Sequence, residues 1–414
     1  MNSPLPSGVS ELTEPATSGG ATHQHLIDPQ SCFRCNTCEN TCPSGAISHR
    51  TSYAVRHELC TNCGKCVEDC PTGAIDHWVA LESGSTFSIE EQFEWNELPE
   101  LPDNCLDDLD LPTDGLQRVS HAPVAPASAA TPVVNRFDSH QPLAVTLISN
   151  ERITPEDSSS AVHHIVIRAP EGTFPVLEGQ TLGVIPPGVD GDGRAYFARA
   201  YSVASSRDGD SYKGRDNHDS DDIALTVKRV TAEDSGTEPG VASNYLCDLT
   251  PGDSLNITGP FGTSFLLPED PAAKLLMICT GTGIAPMRGM IQHRLRHGVT
   301  APGGMALYYG GRSLDDMAYV EELQQAESAL ELHLAVSRQS DRPKQYVQDL
   351  IGNRGEELVA WLQNRQTHIY LCGLISMEDG VDAAFTDICR NAGVDWTELA
   401  QQLRSEGRLH IETY

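Results

Sequence analysis

The sequence predicts a multi-domain chain of mixed α+β and α/β character: a small cysteine-rich module, an antiparallel β-barrel and a parallel α/β domain. Three observations carry this. A cysteine pattern beginning at Cys32 repeats after 28 positions, beginning again at Cys60. From about Arg136, short apolar or alternating runs are separated by turn residues, as in antiparallel strands. From about Ala272, strand-like runs alternate with helical ones, which argues for a parallel sheet wrapped by helices. At 414 residues the chain has room for about two to four domains with real cores.

Residues 1–25 are rich in Ser, Thr, Pro and Gly and are expected to be a disordered tail. The module is expected at 26–80. Its first half reads CFRCNTCENTCPSGAISH and its second CTNCGKCVEDCPTGAIDH. Cys32, Cys35, Cys38 and Cys42 thus map onto Cys60, Cys63, Cys66 and Cys70, both copies being C-x2-C-x2-C-x3-C-P. Soft thiolates at that spacing suit iron–sulfur clusters. A four-cysteine zinc ribbon needs C-x2-C pairs about a dozen or more residues apart, and the triplets fit it poorly. The other five cysteines are scattered, which argues against a disulfide framework and for a reducing compartment. No apolar run approaches ~18 residues and no basic-then-apolar leader opens the chain, so a cytoplasmic protein with no membrane partner is expected. A net charge of −30 disfavours nucleic acid as a ligand. It suits either docking on a basic partner or simple solubility.

Residues 81–134 are expected to be a linker. Its acidic first part, with Phe93 and Trp95, reads as a partner-docking tether or as a solvated segment partly packed on its neighbour. Its Pro/Ala-rich end, 121–133, is a semi-extended connector reaching about 40 Å, which lets the module move or dock. The barrel is expected at 135–268, with His163 and His164 as ordinary strand residues and 208–222 as a polar loop with no part in a core. The α/β domain is expected at 269–414. There KLLMICT breaks at GTGIAP and continues as an amphipathic helix, MRGMIQHRLRHG. Ligands of such sheets sit at the carboxyl ends of the strands.

Four short motifs carry candidate chemistry. In Arg199-Ala200-Tyr201-Ser202, an aromatic can stack on a flavin ring, a guanidinium can pair with pyrophosphate and a hydroxyl can reach flavin N5. Gly240 to Leu246 opens a helix whose free N–H groups suit a phosphate, although a merely capped helix reads the same. Gly281-Thr282-Gly283 follows a buried strand and precedes a helix, where a backbone can approach pyrophosphate; it is not G-x-G-x-x-G. Ser337, Arg338, Lys344 and Tyr346 form either a polar strand end or a site for an adenosine 2′-phosphate.

Over about fifty residues the module resembles the bacterial two-cluster [4Fe–4S] ferredoxins. That resemblance implies one cluster on Cys32, Cys35, Cys38 and Cys70, and another on Cys60, Cys63, Cys66 and Cys42. The succession RAYSVAS, LTVKRV, GVASNYLCDL, GPFG, CTGTGIAPMRGM, AVSRQ, KQYVQ, YLCGL and a terminal HIETY resembles the plant-type ferredoxin–NADP reductases, from about Ala144 to Tyr414. It implies that Arg199, Tyr201, Ser202, Val241, Ala242 and Ser243 hold FAD, and that Thr282, Gly283, Ser337, Arg338, Lys344 and Tyr346 hold NADPH. It also implies that Ser202, Cys372 and Glu412 line the nicotinamide–flavin contact, and that Tyr414 stacks on the flavin. Ile375-Ser376 depart from the plant pattern, which carries Lys-Gly there.

The fused organisation resembles the reductase components of benzoyl-CoA 2,3-epoxidase systems of aerobic benzoate degradation. It implies electron transfer from NADPH, through FAD and two [4Fe–4S] clusters, to a separate di-iron oxygenase. The chain lacks the pair of E-x-x-H motifs that builds a di-iron site, so oxygen insertion falls to another polypeptide. Two alternatives stay open: a general NADPH–ferredoxin reductase with a tethered acceptor, and a non-enzymatic redox sensor. The oligomeric state is likewise open, a homodimer included.

Overall fold

The computed structural model describes residues 22–29, 32, 38–39, 42–50, 52–68, 70, 74–75, 78–81, 86–95, 98–99, 124–139, 141–189, 196, 198–214, 219–232, 239–298, 304–339, 341 and 343–413.

In the module, β1 (Thr22–His25) pairs antiparallel with β4 (Trp78–Leu81), and β2 (Ile47–His49) with β3 (Tyr53–Val55). A short helix, α1 (Lys65–Glu68), carries Cys66. Ala46-Ile47 and Ala74-Ile75, equivalent positions of the repeat, are all buried beside the cysteines. The packed unit extends beyond the expected 26–80 at both ends. β1 lies before that range, and α2 (Ile89–Phe93) lies after it. A capping box starts α2: the Ser88 hydroxyl accepts from Glu91 N–H while the Glu91 carboxylate accepts from Ser88 N–H. The buried Gln92 amide then satisfies both backbone groups of Val55, at 2.9 Å each. Trp95 packs edge-on to Phe87, and Arg50 lies over the Phe93 ring. This stretch of the acidic segment is therefore packed on its neighbour, because it completes the edge of β3.

The barrel strands are β5 (Leu143–Arg152), β6 (Val162–Arg168), β7 (Thr181–Ile185), β8 (Arg199–Ser202), β9 (Asp222–Lys228) and β10 (Ser254–Phe261), in the order β8-β7-β10-β5-β6-β9. Just past β8, Val203 bridges Leu225, and Ala204 N–H donates to the Ala224 carbonyl, closing the sheet on itself. The helix α3 (Val241–Asp248) packs across it. The later half of the connector lies on this body. Ala129 bridges Pro268, Phe137 bridges Gly259, and Gln180 donates to the Val133 carbonyl.

The last domain runs β11 (Lys274–Thr280), α4 (Ile284–Arg296), β12 (Met305–Gly311), α5 (Val320–Gln325), β13 (Leu330–Val336), α6 (Val347–Asn353), α7 (Gly355–Gln363), β14 (Thr367–Gly373), α8 (Ile375–Asn391), α9 (Trp396–Ser405) and β15 (Leu409–Thr413). Its five strands are parallel, in the order β13-β12-β11-β14-β15. In β11 the pleat sends Leu275, Met277 and Cys279 into one core and Leu276 and Ile278 into the other. Both faces are covered, as the apolar run requires.

Three sequence expectations are corrected where the domains meet. His164 is not an ordinary strand residue, and the 208–222 loop does enter a core. The helix α4, expected to be amphipathic, is instead enclosed by both domains, and Arg288 on it is 1 % exposed. The Arg288 guanidinium donates to Asp210 (2.8 Å), Glu322 (3.0 Å) and the Ala204 carbonyl (2.7 Å). Asp210 also meets His164 Nε2 at 3.0 Å, whose Nδ1 reaches the Tyr319 hydroxyl at 2.9 Å; that hydroxyl in turn meets Thr226 Oγ1. Burial would raise the Asp210 carboxyl, but Arg288 and His164 outweigh it and hold it well below the usual range.

Arg288→Ala would strand Asp210 as a buried charge. It is expected to cost about 3–5 kcal/mol in denaturant unfolding of the barrel and α/β domains.

Candidate functional site

The carboxyl ends of the parallel strands are drawn together by close backbone contacts. β11 passes through a tight turn, Gly281–Gly283, into α4. A Cβ on Gly283 would lie 2.1 Å from the Cys372 carbonyl oxygen, so glycine alone lets this turn rest on the end of β14. Gly373 has φ +146° and presses on Thr280 in the same way. The Tyr309 hydroxyl at the end of β12 donates to the Gly281 carbonyl (3.2 Å) and accepts from Ala318 N–H (3.0 Å).

Cys372 is flanked in register by Cys279 on β11 and Glu412 on β15. Its thiol is pushed far above the ordinary value by burial, with the Glu412 charge adding to the effect, so it stands as a neutral packing group. Glu412 keeps some accessible surface yet is enclosed by protein, and that enclosure pushes its carboxyl up to about 8. At neutral pH it is a protonated acid. Leu374 and Ile375, at the start of α8, are exposed apolar side chains beside this corner.

Arg199, Tyr201 and Ser202 occupy β8, with Arg199 exposed and the other two partly buried. Burial raises the Tyr201 phenol, so it stays neutral. A Cβ on Gly289 of α4 would meet the Ser205 carbonyl at 2.7 Å, so the chain leaving β8 runs directly against the helix that the Gly281–Gly283 turn opens. At the start of α3, Val241 is exposed while Ala242 and Ser243 are buried. The Ser243 hydroxyl accepts from Val230 N–H and donates to the Gly240 carbonyl. Gly240 supplies no side-chain cap, so what this stretch offers a phosphate is its first-turn N–H groups. Backbone donors of that kind, and separately the exposed Arg199 guanidinium on β8, are groups whose chemistry suits a pyrophosphate.

Ser337 and Arg338 follow β13, with Ser337 bonded through N–H and Oγ to the Gly311 carbonyl and Arg338 exposed. Lys344 lies 4.9 Å from the centre of the exposed Tyr346 ring at the start of α6. This cationic end is three strands from Cys372, about 14 Å at ordinary strand spacing, which a dinucleotide can span. Tyr414 lies outside the described residues.

In the module, Cys42 from the first repeat joins Cys60, Cys63 and Cys66 from the second around one pocket. Burial, with Cys60, Cys42 and Cys63 as neighbours, pushes the Cys66 thiol up to about 12. At Cys42 burial acts upward, but hydrogen bonds from the Ser44 hydroxyl and Ala46 N–H outweigh it and lower its value. Four crowded sulfurs that repel one another as thiolates are a donor set for a cationic iron–sulfur group. Cys32, Cys38 and Cys70 pack into the same cluster of side chains, and Cys35 lies outside the described residues. Neither the Tyr309 hydroxyl nor the Gly289 contact was apparent from sequence, since each depends on strands far apart in the chain. Among the described residues, no helix is long and apolar enough to cross a membrane.

Two family models match parts of the chain. Residues 277–383 match the oxidoreductase NAD-binding domain family, and residues 31–74 match the 4Fe-4S dicluster domain family. The chain is 39% identical over 293 residues to the cyanelle ferredoxin–NADP reductase of Cyanophora paradoxa, covering 68% of this chain and 79% of that protein. It is 37% identical to the leaf isozyme 1 ferredoxin–NADP reductase of Arabidopsis thaliana, covering 68% and 80%. Among solved structures, the ferredoxin-NADP+ reductase from Plasmodium falciparum superposes with a TM-score of 0.53 at 25% identity, covering 68% of this chain and 99% of that one.

Because Glu412 titrates at about 8 when folded, against 4.5 ordinarily, its contribution to stability is fully present below the ordinary value and is lost as pH rises through about 8. Glu412→Gln is expected to flatten that decline in denaturant unfolding measured across pH 4–9.

Proposed function

The chain belongs to the ferredoxin–NADP reductase family, and from that premise we propose that it carries electrons from NADPH through FAD and two [4Fe–4S] clusters to a separate oxygenase. It is an NADPH-dependent oxidoreductase of the flavoprotein type with an iron–sulfur module in the same chain. Flavin supplies the conversion of a hydride into single electrons, and iron–sulfur groups carry those electrons one at a time.

The chain's own residues divide the binding work. We assign the flavin to Arg199, Tyr201 and Ser202 of β8, with the first-turn N–H groups at Val241, Ala242 and Ser243. Thr282 and Gly283 approach the pyridine nucleotide through backbone, and Ser337, Arg338, Lys344 and Tyr346 take its 2′-phosphate. Cys372 shapes the nicotinamide end as a neutral thiol, and Glu412 beside it keeps an exchangeable proton in an enclosed place. In this reading Tyr414 covers the flavin face. Cys60, Cys63, Cys66 and Cys42 hold one cluster, and Cys32, Cys35, Cys38 and Cys70 the other.

The observation that carries the proposal is the convergence of Cys42 with Cys60, Cys63 and Cys66 in a module fused to a reductase. The named relatives are reductases of ferredoxin; here a ferredoxin-like acceptor is part of the chain. The terminal acceptor is then a further protein, and the architecture favours a di-iron benzoyl-CoA 2,3-epoxidase. The test is anaerobic reduction by NADPH, followed by addition of that epoxidase with benzoyl-CoA and oxygen. Reoxidation that depends on the epoxidase supports the dedicated role. Clusters that stay reduced with it, but discharge to other oxygenases, point to the general reductase instead.

Arg338→Ala is expected to raise the Kd for NADPH by at least ~10-fold, as loss of a charge-assisted contact does, while barely moving that for NADH. Equal losses would remove the 2′-phosphate assignment.

A further inference from the structure

Away from the strand ends, three metal-ligating side chains converge where the barrel meets α4: Asp208, His293 and His297. We propose that they form a binding site for one zinc ion that clips the two reductase domains together. His293 lies in the last turn of α4 and His297, four positions on, caps its C-terminus, a spacing that brings the two imidazoles to one side. Their ring centres are 4.3 Å apart. Asp208 arrives from the loop after β8. Its Oδ2 lies 2.9 Å from His297 Nε2 and 3.4 Å from His293 Nδ1. All three ligand atoms fall within 4.8 Å of one another. In a tetrahedral zinc site with bonds of about 2.0–2.1 Å, neighbouring ligand atoms sit about 3.4 Å apart, so the cluster needs little adjustment.

The surroundings hold these groups in place. Ser206 Oγ donates to Asp208 Oδ2 (3.1 Å) and lies 3.4 Å from His293 Nδ1. Arg296 donates to the Gly209 carbonyl and fixes the loop. Glu178 Oε1 also lies 3.1 Å from His293 Nδ1, but this fully buried carboxylate is engaged by Arg207 through its backbone N–H and its guanidinium fork, and Arg207 reaches on to Glu269. An ion on His293 Nδ1 would replace the proton shared with Glu178, while Asp208, less deeply buried and facing both imidazoles, supplies the carboxylate ligand. Two imidazoles and one carboxylate suit zinc rather than magnesium or calcium. His297 is exposed on one side, leaving an entry path and a fourth position for water. The same loop carries Asp210 to Arg288, so an ion here would tie down the segment that joins the domains.

The test uses the full-length protein with its flavin and clusters in place, dialysed against zinc chloride. Metal is counted by mass spectrometry, and its ligands are read by X-ray absorption at the zinc edge. One zinc per chain with only nitrogen and oxygen neighbours is expected. His297→Ala and Asp208→Asn should each weaken binding by more than ~100-fold, beyond what loss of an outer-shell partner does. NADPH-dependent ferricyanide reduction should be unchanged in His297→Ala. Zinc should raise the thermal unfolding midpoint of the unaltered protein and not of His297→Ala, and its affinity should fall as protons compete at lower pH. Sulfur neighbours, which would place the metal in the cysteine module, would overturn the proposal. So would binding that survives both substitutions, or no retained zinc.

Discussion

Arg288 is a cation with almost no contact with water, and it is kept charged by Asp210 and Glu322. A lone buried guanidinium would be prohibitive; here its donors reach two carboxylates and a carbonyl contributed by both domains. The arrangement fixes α4 against the chain leaving β8. Since α4 begins at the Gly281–Gly283 turn, the same constraint sets where the strand ends of the α/β domain lie relative to the barrel. His164, Tyr319 and Thr226 extend the network, so relative movement of the domains would expose several polar groups at once.

Within that frame the candidate site depends on backbone proximity more than on reactive side chains. Gly283 and Gly373 allow close approach where any Cβ would collide. Cys372 and Glu412, side by side across two parallel strands, are both neutral at ordinary pH because they are enclosed. Arg338 and Lys344 bring positive charge to the other, exposed end. An uncharged, enclosed corner and a cationic outer end suit a ligand that is itself apolar at one end and phosphorylated at the other.

Much of this was legible in the sequence, because some signals are local. The repeat of Cys-Pro and Gly-Ala-Ile defined the module, and the continuous apolar run in KLLMICT revealed a strand buried on both faces. The Ser337-Arg338 and Lys344-Tyr346 pairs stood out for their donors. What stayed hidden was tertiary. Nothing local shows that Asp210 leaves a polar loop to meet Arg288, or that His164 has a partner forty-six positions on. The edge of the module was misjudged because Gln92 acts at a distance, bonding Val55 from within an acidic stretch that reads as solvated. The meeting of Asp208 with His293 and His297 is likewise supplied only by the fold.

Fusion changes the physics of electron delivery. A separate acceptor must be met by diffusion, whereas a tethered one is held at an effective concentration set by its linker. Residues from 129 to 137 contact the barrel, so that part of the connector belongs to the reductase body. The most direct measurement is therefore anaerobic stopped-flow of NADPH-driven cluster reduction over a wide range of protein concentration. A rate constant independent of concentration is what delivery within one chain predicts. A rate proportional to concentration would show that the module takes electrons only from other molecules, contradicting the account.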